Sequence, residues 1–185
     1  MRITVTDLRG FRVFADRFEK IISIVDPGLK LSFQQGDHCI VRCDDISTDT
    51  VVSPDGITLS GYVIPQEHHV QEILSYSANF KNDDKILIHC HAGISRSTAA
   101  AILVLCQHGM SPKEALKQIQ EERPILWPND RFIVFGDKIL GLQGELTKTV
   151  SEWKAEETGT VINLTHTKVA QEDIDEMQSF KDLFD

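Results

Sequence analysis

Cysteine is scarce in this 185-residue chain, and the four present, Cys39, Cys43, Cys90 and Cys106, have neither the paired CxxC spacing of zinc sites nor the density of a secreted disulfide scaffold. They read as reduced thiols. Positive charge is also in short supply: 19 Lys and Arg stand against 28 Asp and Glu, a formal charge of −9, with no clustered basic stripe. A protein that neutralises many phosphates needs such a cluster, so broad nucleic-acid binding is excluded. Long apolar runs are missing. The longest, Ala99 to Cys106, is eight residues, against about 20 for a helix that crosses a bilayer. Met1 opens directly into a strand-like run with no basic segment, apolar stretch or Ala-x-Ala site behind it, so no export is expected and the cytoplasm is the expected location. Internal repeats and low-complexity tracts are absent. His68-His69 has no third ligand at a supporting spacing, which makes a surface helix pair the expectation and leaves no metal site.

Apolar residues make up 41% of the chain and charged residues 25%, the usage of an ordinary folded domain. The expected division is a domain over residues 1–150 and an acidic extension over 151–185, partly ordered. That extension carries nine acidic residues against three Lys. Strand character falls on 2–5, on His38 to Cys43 and on Lys85 to His89, the last with apolar residues at consecutive positions as in a strand buried on both faces. Residues 11–25 read as helix or helix plus strand, and Pro27-Gly28 as a turn. Ser47 to Gly61 reads as a loop, and Pro65 suits the first turn of a helix carrying Val70, Ile73 and Leu74. Ser97 to His108 reads as helix with Gly109 at its end. Ser111-Pro112-Lys113-Glu114 has the Ser, Pro and Glu of a capped helix start, and Asn129 is placed to cap a further helix to about Leu142. A stretch from Val169 to Leu183 is helix-like. The fold class this implies is α/β, a central, mostly parallel sheet flanked by helices on both faces.

One short segment carries chemistry. Cys90-His91-Ala92-Gly93-Ile94-Ser95-Arg96-Ser97 begins at the end of a buried strand and runs into a helix, so the chain must turn sharply, and Gly93 permits the backbone angles that this needs. In such a turn successive N–H groups face inward and, with the positive end of the helix, form an anion nest sized for a phosphoryl group. The same field favours a thiolate, the nucleophilic form of cysteine, at Cys90. Arg96 adds a planar fork of donors able to grip two phosphate oxygens.

The run from Ile88 to Ser97 closely resembles the signature of protein tyrosine phosphatases, particularly the small dual-specificity type. Gly109-Met110-Ser111, Ala115-Leu116 and Arg123-Pro124-Ile125-Leu126-Trp127-Pro128-Asn129 parallel the region that follows that signature in the family, so the resemblance runs over about residues 38 to 142. The chain also looks like compact bacterial tyrosine-phosphatase-like proteins, which carry an Asp-Ile pair upstream of the cysteine. The resemblance implies a phosphocysteine reaction at Cys90 with no metal or other cofactor. His91, Ala92, Gly93, Ile94, Ser95 and Arg96 hold the phosphate, Ser97 supplies the hydroxyl that meets the departing thiolate, and His89 and Asn129 support the loop. An Asp acts as acid and then base. Asp45 is preferred for that role, then Asp44, because both follow the HCIVRC strand, whereas Asp55 suits the family's spacing but lies in the Pro/Gly-containing loop. Cys43, two residues before Asp45, is a candidate redox partner for Cys90. The substrate class is a phosphate monoester, phosphotyrosine first and phosphoserine or phosphothreonine next. A phosphate-binding scaffold without turnover, an enzyme for RNA 5′-phosphates or phosphoinositides, and arsenate reduction are the competing functions.

Overall fold

The computed structural model describes residues 1–31 and 37–166, with side chains through residue 159. In chain order the elements are β1 (Arg2–Thr6), α1 (Leu8–Phe14) with a 3₁₀ turn at Ala15–Arg17, β2 (Lys20–Val25), β3 (Asp37–Arg42), β4 (Val51–Val52), β5 (Thr58–Leu59), α2 (Glu67–Ser77), β6 (Lys85–His89), α3 (Arg96–Gln107), α4 (Pro112–Glu122), α5 (Asp130–Leu140) and α6 (Glu145–His166). The chain divides into two compact units at Val150, and the first holds the whole sheet. The helix-like stretch at Val169 to Leu183 lies outside the described residues.

Strands β1, β6, β2 and β3 lie side by side in that order, and every pairing among them is parallel. Parallel strands covered on both faces need apolar residues at successive positions; Ile86 to Ile88 meet this, and so do Ile21 to Val25 except for Ser23, with every residue buried. Paired residues of neighbouring strands share a face. The registers Ile21↔Leu87, Ser23↔His89 and Ile21↔His38 therefore put these five side chains on one side of the sheet. Phe11 and Ala15 cover Ile21 and Leu87 there. The α1 segment is started by Asp7, whose carboxylate accepts from Gly10 N at 2.7 Å.

α3 covers the opposite side, touching β6, β1 and β2, and it is enclosed in turn by α2, α4 and α5. Its residues from Arg96 to Cys106 are all buried, the pattern of a helix at the centre of a domain. Cutting any of its apolar side chains would leave a cavity, and Leu→Ala changes of this kind cost about 2–5 kcal/mol. α4 begins as its sequence pattern predicts, with Ser111 and Glu114 capping each other. α5 is capped by Asn129 and ends two residues before Leu142, because Gly141 takes the left-handed conformation at φ 67°.

Two segments differ from expectation. Within the Ser47 to Gly61 loop, Val51–Val52 and Thr58–Leu59 pair as an antiparallel ribbon closed by the turn at Ser53, with Gly56 at φ 86°. Strands of two residues are too short to show alternation. α6 is the second. Its start has no Ser, Thr or Asn cap; instead the buried carboxylate of Asp137, on α5, accepts from Gly144 N at 2.7 Å and Thr147 N at 2.8 Å. A cap borrowed from the preceding helix leaves no local signal. Among the described residues no helix is long and apolar enough to cross a membrane.

Candidate active site

β6 ends at His89, and the next residues turn through Gly93 into α3. Gly93 is required twice over: its φ is 72°, and a Cβ there would stand 2.7 Å from the Thr6 carbonyl carbon. Outside partners take up the loop's carbonyl groups one after another. His91 O accepts from Leu8 N at 3.0 Å, Ile94 O from Trp127 N at 2.9 Å and Ser95 O from Asn129 N at 3.3 Å. Arg123 supplies the two between, donating from Nη2 to Ala92 O and from Nε to Gly93 O, each at 3.1 Å. Cys90 O faces His89 Nδ1 at 3.2 Å. In a trans peptide the N–H points opposite to the C=O, so carbonyls held outward leave the amides to the concave side. Gly93 N accordingly donates to Cys90 Sγ at 3.2 Å, and the Ser97 hydroxyl lies 3.2 Å from the same sulfur.

Arg96 opens α3 with its side chain only 2% exposed. Nη1 donates to Asp26 Oδ1 at 2.7 Å and to Cys43 O at 2.6 Å. Burial disfavours the charged guanidinium, but the Asp26 hydrogen bond and the charges of Cys90 and Asp45 outweigh it, so its pKa is raised and it stays charged. Arg96 Nε, 3.7 Å from Asp45 Oδ2, donates to no protein atom among the described residues. A buried guanidinium N–H without a partner costs free energy that an oxyanion in the hollow would recover.

The three carboxylates considered for acid and base work fall in different places. Asp45 borders the loop: Oδ1 accepts from Ser95 Oγ at 2.6 Å and from Asn129 Nδ2 at 3.0 Å, and the carboxylate remains about one-third exposed. Asp44 turns away and clamps the base of the β4–β5 ribbon, its Oδ2 accepting from Val63 N at 2.7 Å and its own N donating to Val63 O at 2.8 Å. Asp55 sits at the exposed tip of the ribbon, bonded to Ser53, which holds its carboxyl below the usual range. Asn129 is spent in full. Its Oδ1 caps α5 through Arg131 N and Phe132 N while Nδ2 holds Asp45 and Ile46 O.

Three participants were not singled out from the sequence. Asp26 joins Arg96 and lies 3.8 Å from His91 Nδ1. It directly follows β2, the neighbour of β6, and in an open parallel sheet residues past adjoining strand ends line one crevice, so strand order would have found it. Arg123 was seen only as part of a family pattern. Ser23, at 2.5 Å from His89 Nε2, was hidden in an apolar strand.

Elsewhere, His69 accepts the Gln66 N–H at the start of α2, and no group of three or more His, Cys, Asp or Glu able to hold a metal occurs among the described residues. Cys39, Cys43 and Cys106 are buried, and burial pushes each thiol up to about 12. Such thiols are inert near neutral pH.

A strand ending just before Cys90, an amide-lined turn and an arginine at the following helix start give this α/β domain the fold type of the cysteine phosphatases. Residues 66–135 match the family model of the dual specificity phosphatase catalytic domain. Dual specificity protein phosphatase 15 of Rattus norvegicus is 37% identical over 71 residues, 37% of this chain and 30% of that protein. Tyrosine-protein phosphatase yvh1 of Schizosaccharomyces pombe is 29% identical over 110 residues, 59% of this chain and 28% of that protein. The matched part thus spans about a third or less of the length of these relatives. Among solved structures, human DUSP28 superposes with a TM-score of 0.56 at 17% identity, over 77% of this chain and 94% of its own. The PTP-2 phosphatase of Cydia pomonella gives 0.52 at 20% identity, over 73% and 83%. Residues 66–135 are therefore similar to the dual specificity phosphatase catalytic domain, and the two solved structures share the fold of this chain.

Proposed function

We propose that this chain is a phosphatase of the dual-specificity type, hydrolysing phosphate monoesters through a phosphocysteine at Cys90. The observation that carries the reading is the outward tethering of every carbonyl from Cys90 to Ser95 around an inward-facing sulfur. Cys90 Sγ attacks phosphorus, and a new S–P bond replaces the bond to the leaving oxygen. Asp45 gives that oxygen a proton, then takes one from the water that cleaves the S–P bond and releases phosphate. The freed thiolate is received by Gly93 N–H and Ser97 Oγ–H. Amides of residues 91–96 and the guanidinium of Arg96 stabilise the charge on the equatorial oxygens as it spreads. His89 and Asn129 support the loop, while Asp44 fixes the ribbon beside Asp45.

An aryl ester, phosphotyrosine on a protein, fits the surroundings best. Trp127 is 44% exposed and Ile125 72% exposed on the segment bonded to Ile94, which supports an apolar wall for a ring. Phosphoserine and phosphothreonine follow as substrates. Buried, unpaired cysteines and a thiol nucleophile favour the reducing cytoplasm as the place of work. The domain itself is assigned to residues 1–150, with 151–185 as an acidic extension.

Hydrolysis of 4-nitrophenyl phosphate is the test. The native chain turns it over, and Cys90→Ser falls to background while still binding vanadate. Turnover in Cys90→Ser excludes the thiol mechanism; a native chain that binds vanadate without turnover is a phosphate-binding scaffold instead.

A further inference from the structure

Beneath Cys90 runs a line of three polar side chains on the α1-covered face of an otherwise apolar sheet. Ser23 Oγ lies 2.5 Å from His89 Nε2 and 2.7 Å from His38 Nε2. Ser23 and His89 are fully buried, His89 stacking on Phe11 with ring centres 4.0 Å apart and planes 17° from parallel. The reaction proposed above makes no use of Ser23 or His38.

Counting protons gives this line a direction. His89 Nδ1 faces Cys90 O, which can only accept, so Nδ1 carries a proton. Burial holds the His89 ring at a pKa of about 4, so near neutral pH the ring has one proton and Nε2 is bare. Nε2 must then accept from the Ser23 hydroxyl. A serine has a single O–H, so its second contact has to be received, and His38 Nε2 must be the donor. We propose that His38 and Ser23 are positioning residues that lock His89 in its Nδ1–H tautomer, so that a one-way series of hydrogen bonds ends on the Cys90 carbonyl. Each link is polarised by the one before it. The last holds the Cys90–His91 peptide with its N–H toward the hollow and draws electron density from beside Sγ, which favours the thiolate.

Other charges bear on the same centre and must be separated from this effect. Asp7 from the cap of α1, His38 from β3 and Arg96 from α3 act on His89. Asp26 past β2, Asp45 past β3 and His91 in the loop stand around Arg96 and the hollow. None of them is altered by a change at Ser23, and only His38 by a change at His38.

The tautomer lock rests on the hydrogen-bond geometry and on a buried, neutral His89 ring, and only its consequence for the thiolate rests on the phosphatase reading. Two measurements therefore test it without turnover. Ring 15N shifts of His89 in the full chain should show a bare Nε2 and a protonated Nδ1. Iodoacetamide alkylation, mapped to Cys90 by mass spectrometry, should be about three- to tenfold slower at pH 6, relative to pH 9, in Ser23→Ala and His38→Leu. His38→Gln, whose Nε2 still donates, should stay within about twofold of the native chain. A native His89 with its proton on Nε2 overturns the proposal, as does a His38→Gln variant that falls as far as His38→Leu. Should Ser23→Ala fail to fold, the two His38 variants decide the matter, since that side chain is only half-buried on the edge strand. If the chain hydrolyses no phosphate ester but both measurements behave as stated, the lock is retained and the enzymatic reading is lost.

Discussion

From Cys90 to Ser97 the site is built by one continuous run of chain, in which strand end, turn and helix start each follow from the residues in sequence order. Its other wall is assembled from Asp26 past β2, Asp45 past β3 and Asn129 before α5, brought together by Arg96 and Ser95. The first region is held by hydrogen bonds on six successive carbonyls, three of them from backbone N–H groups and three from the His89 and Arg123 side chains. The second is held by side chains, of which the Asp26 and Asp45 carboxylates remain partly exposed, and it runs into a 21-residue connection from Cys43 to Val63 closed by the Asp44 clamp. The difference teaches where tolerance lies. A backbone cradle admits almost no substitution, because moving one peptide disturbs its neighbours, whereas side-chain contacts can be lost one at a time.

The comparison breaks first at Gly93. Gly93→Ala puts a Cβ 2.7 Å from the Thr6 backbone at a left-handed φ; phosphatase activity should fall to background, and stability by about 3 kcal/mol or more in urea unfolding. Retained activity would mean that the cradle is soft. Asp45→Ala sharpens the second region: with poor leaving groups kcat should drop about a hundred- to a thousandfold, with 4-nitrophenyl phosphate far less. An equal loss on both kinds of substrate moves the acid role to another carboxylate.

Acid probes the first region from below. His89 is held at about 4 in the folded protein against an ordinary 6.5, so the unfolded chain takes up the proton first. The stability this neutral ring contributes is present above pH 6.5 and lost as pH falls from 6.5 to about 4, by up to about 3 kcal/mol. In His89→Asn, unfolding midpoints measured between pH 7 and pH 4 should vary less with pH than in the native chain. The smallest effect belongs to Asp26→Ala. It leaves Arg96 Nη1 with Cys43 O as its remaining protein acceptor, and kcat/KM should change about tenfold. A thousandfold loss would instead put Asp26 level with Asp45.

How much of this was legible in the sequence follows the same division. The strand–turn–helix segment around Cys90 to Ser97, the capped starts of α4 and α5 and the buried strand β6 could be read directly, because each is set by residues within one turn or one strand of each other. The β4–β5 ribbon and α6 were not legible. Two-residue strands show no period, and the cap of α6 is supplied by Asp137, eight residues before the helix begins. Among the carboxylates, the sequence placed Asp45 and then Asp44 ahead of Asp55, because both follow the HCIVRC strand whereas Asp55 lies in the loop beyond it. The fold separates them by role, as loop neighbour, clamp and exposed turn.

By itself the sequence determined that a thiol, a glycine and a guanidinium would converge at the head of a helix, since covalent spacing alone brings residues 90–96 together whenever a strand passes sharply into a helix. Only the tertiary structure decided what surrounds them. Placing β2 and β3 on one side of β6 delivered Asp26 and Asp45 to the hollow and aligned Ser23 and His38 beneath it. Strand order and register are properties of the packed sheet, and no local preference along the chain encodes which strand becomes whose neighbour.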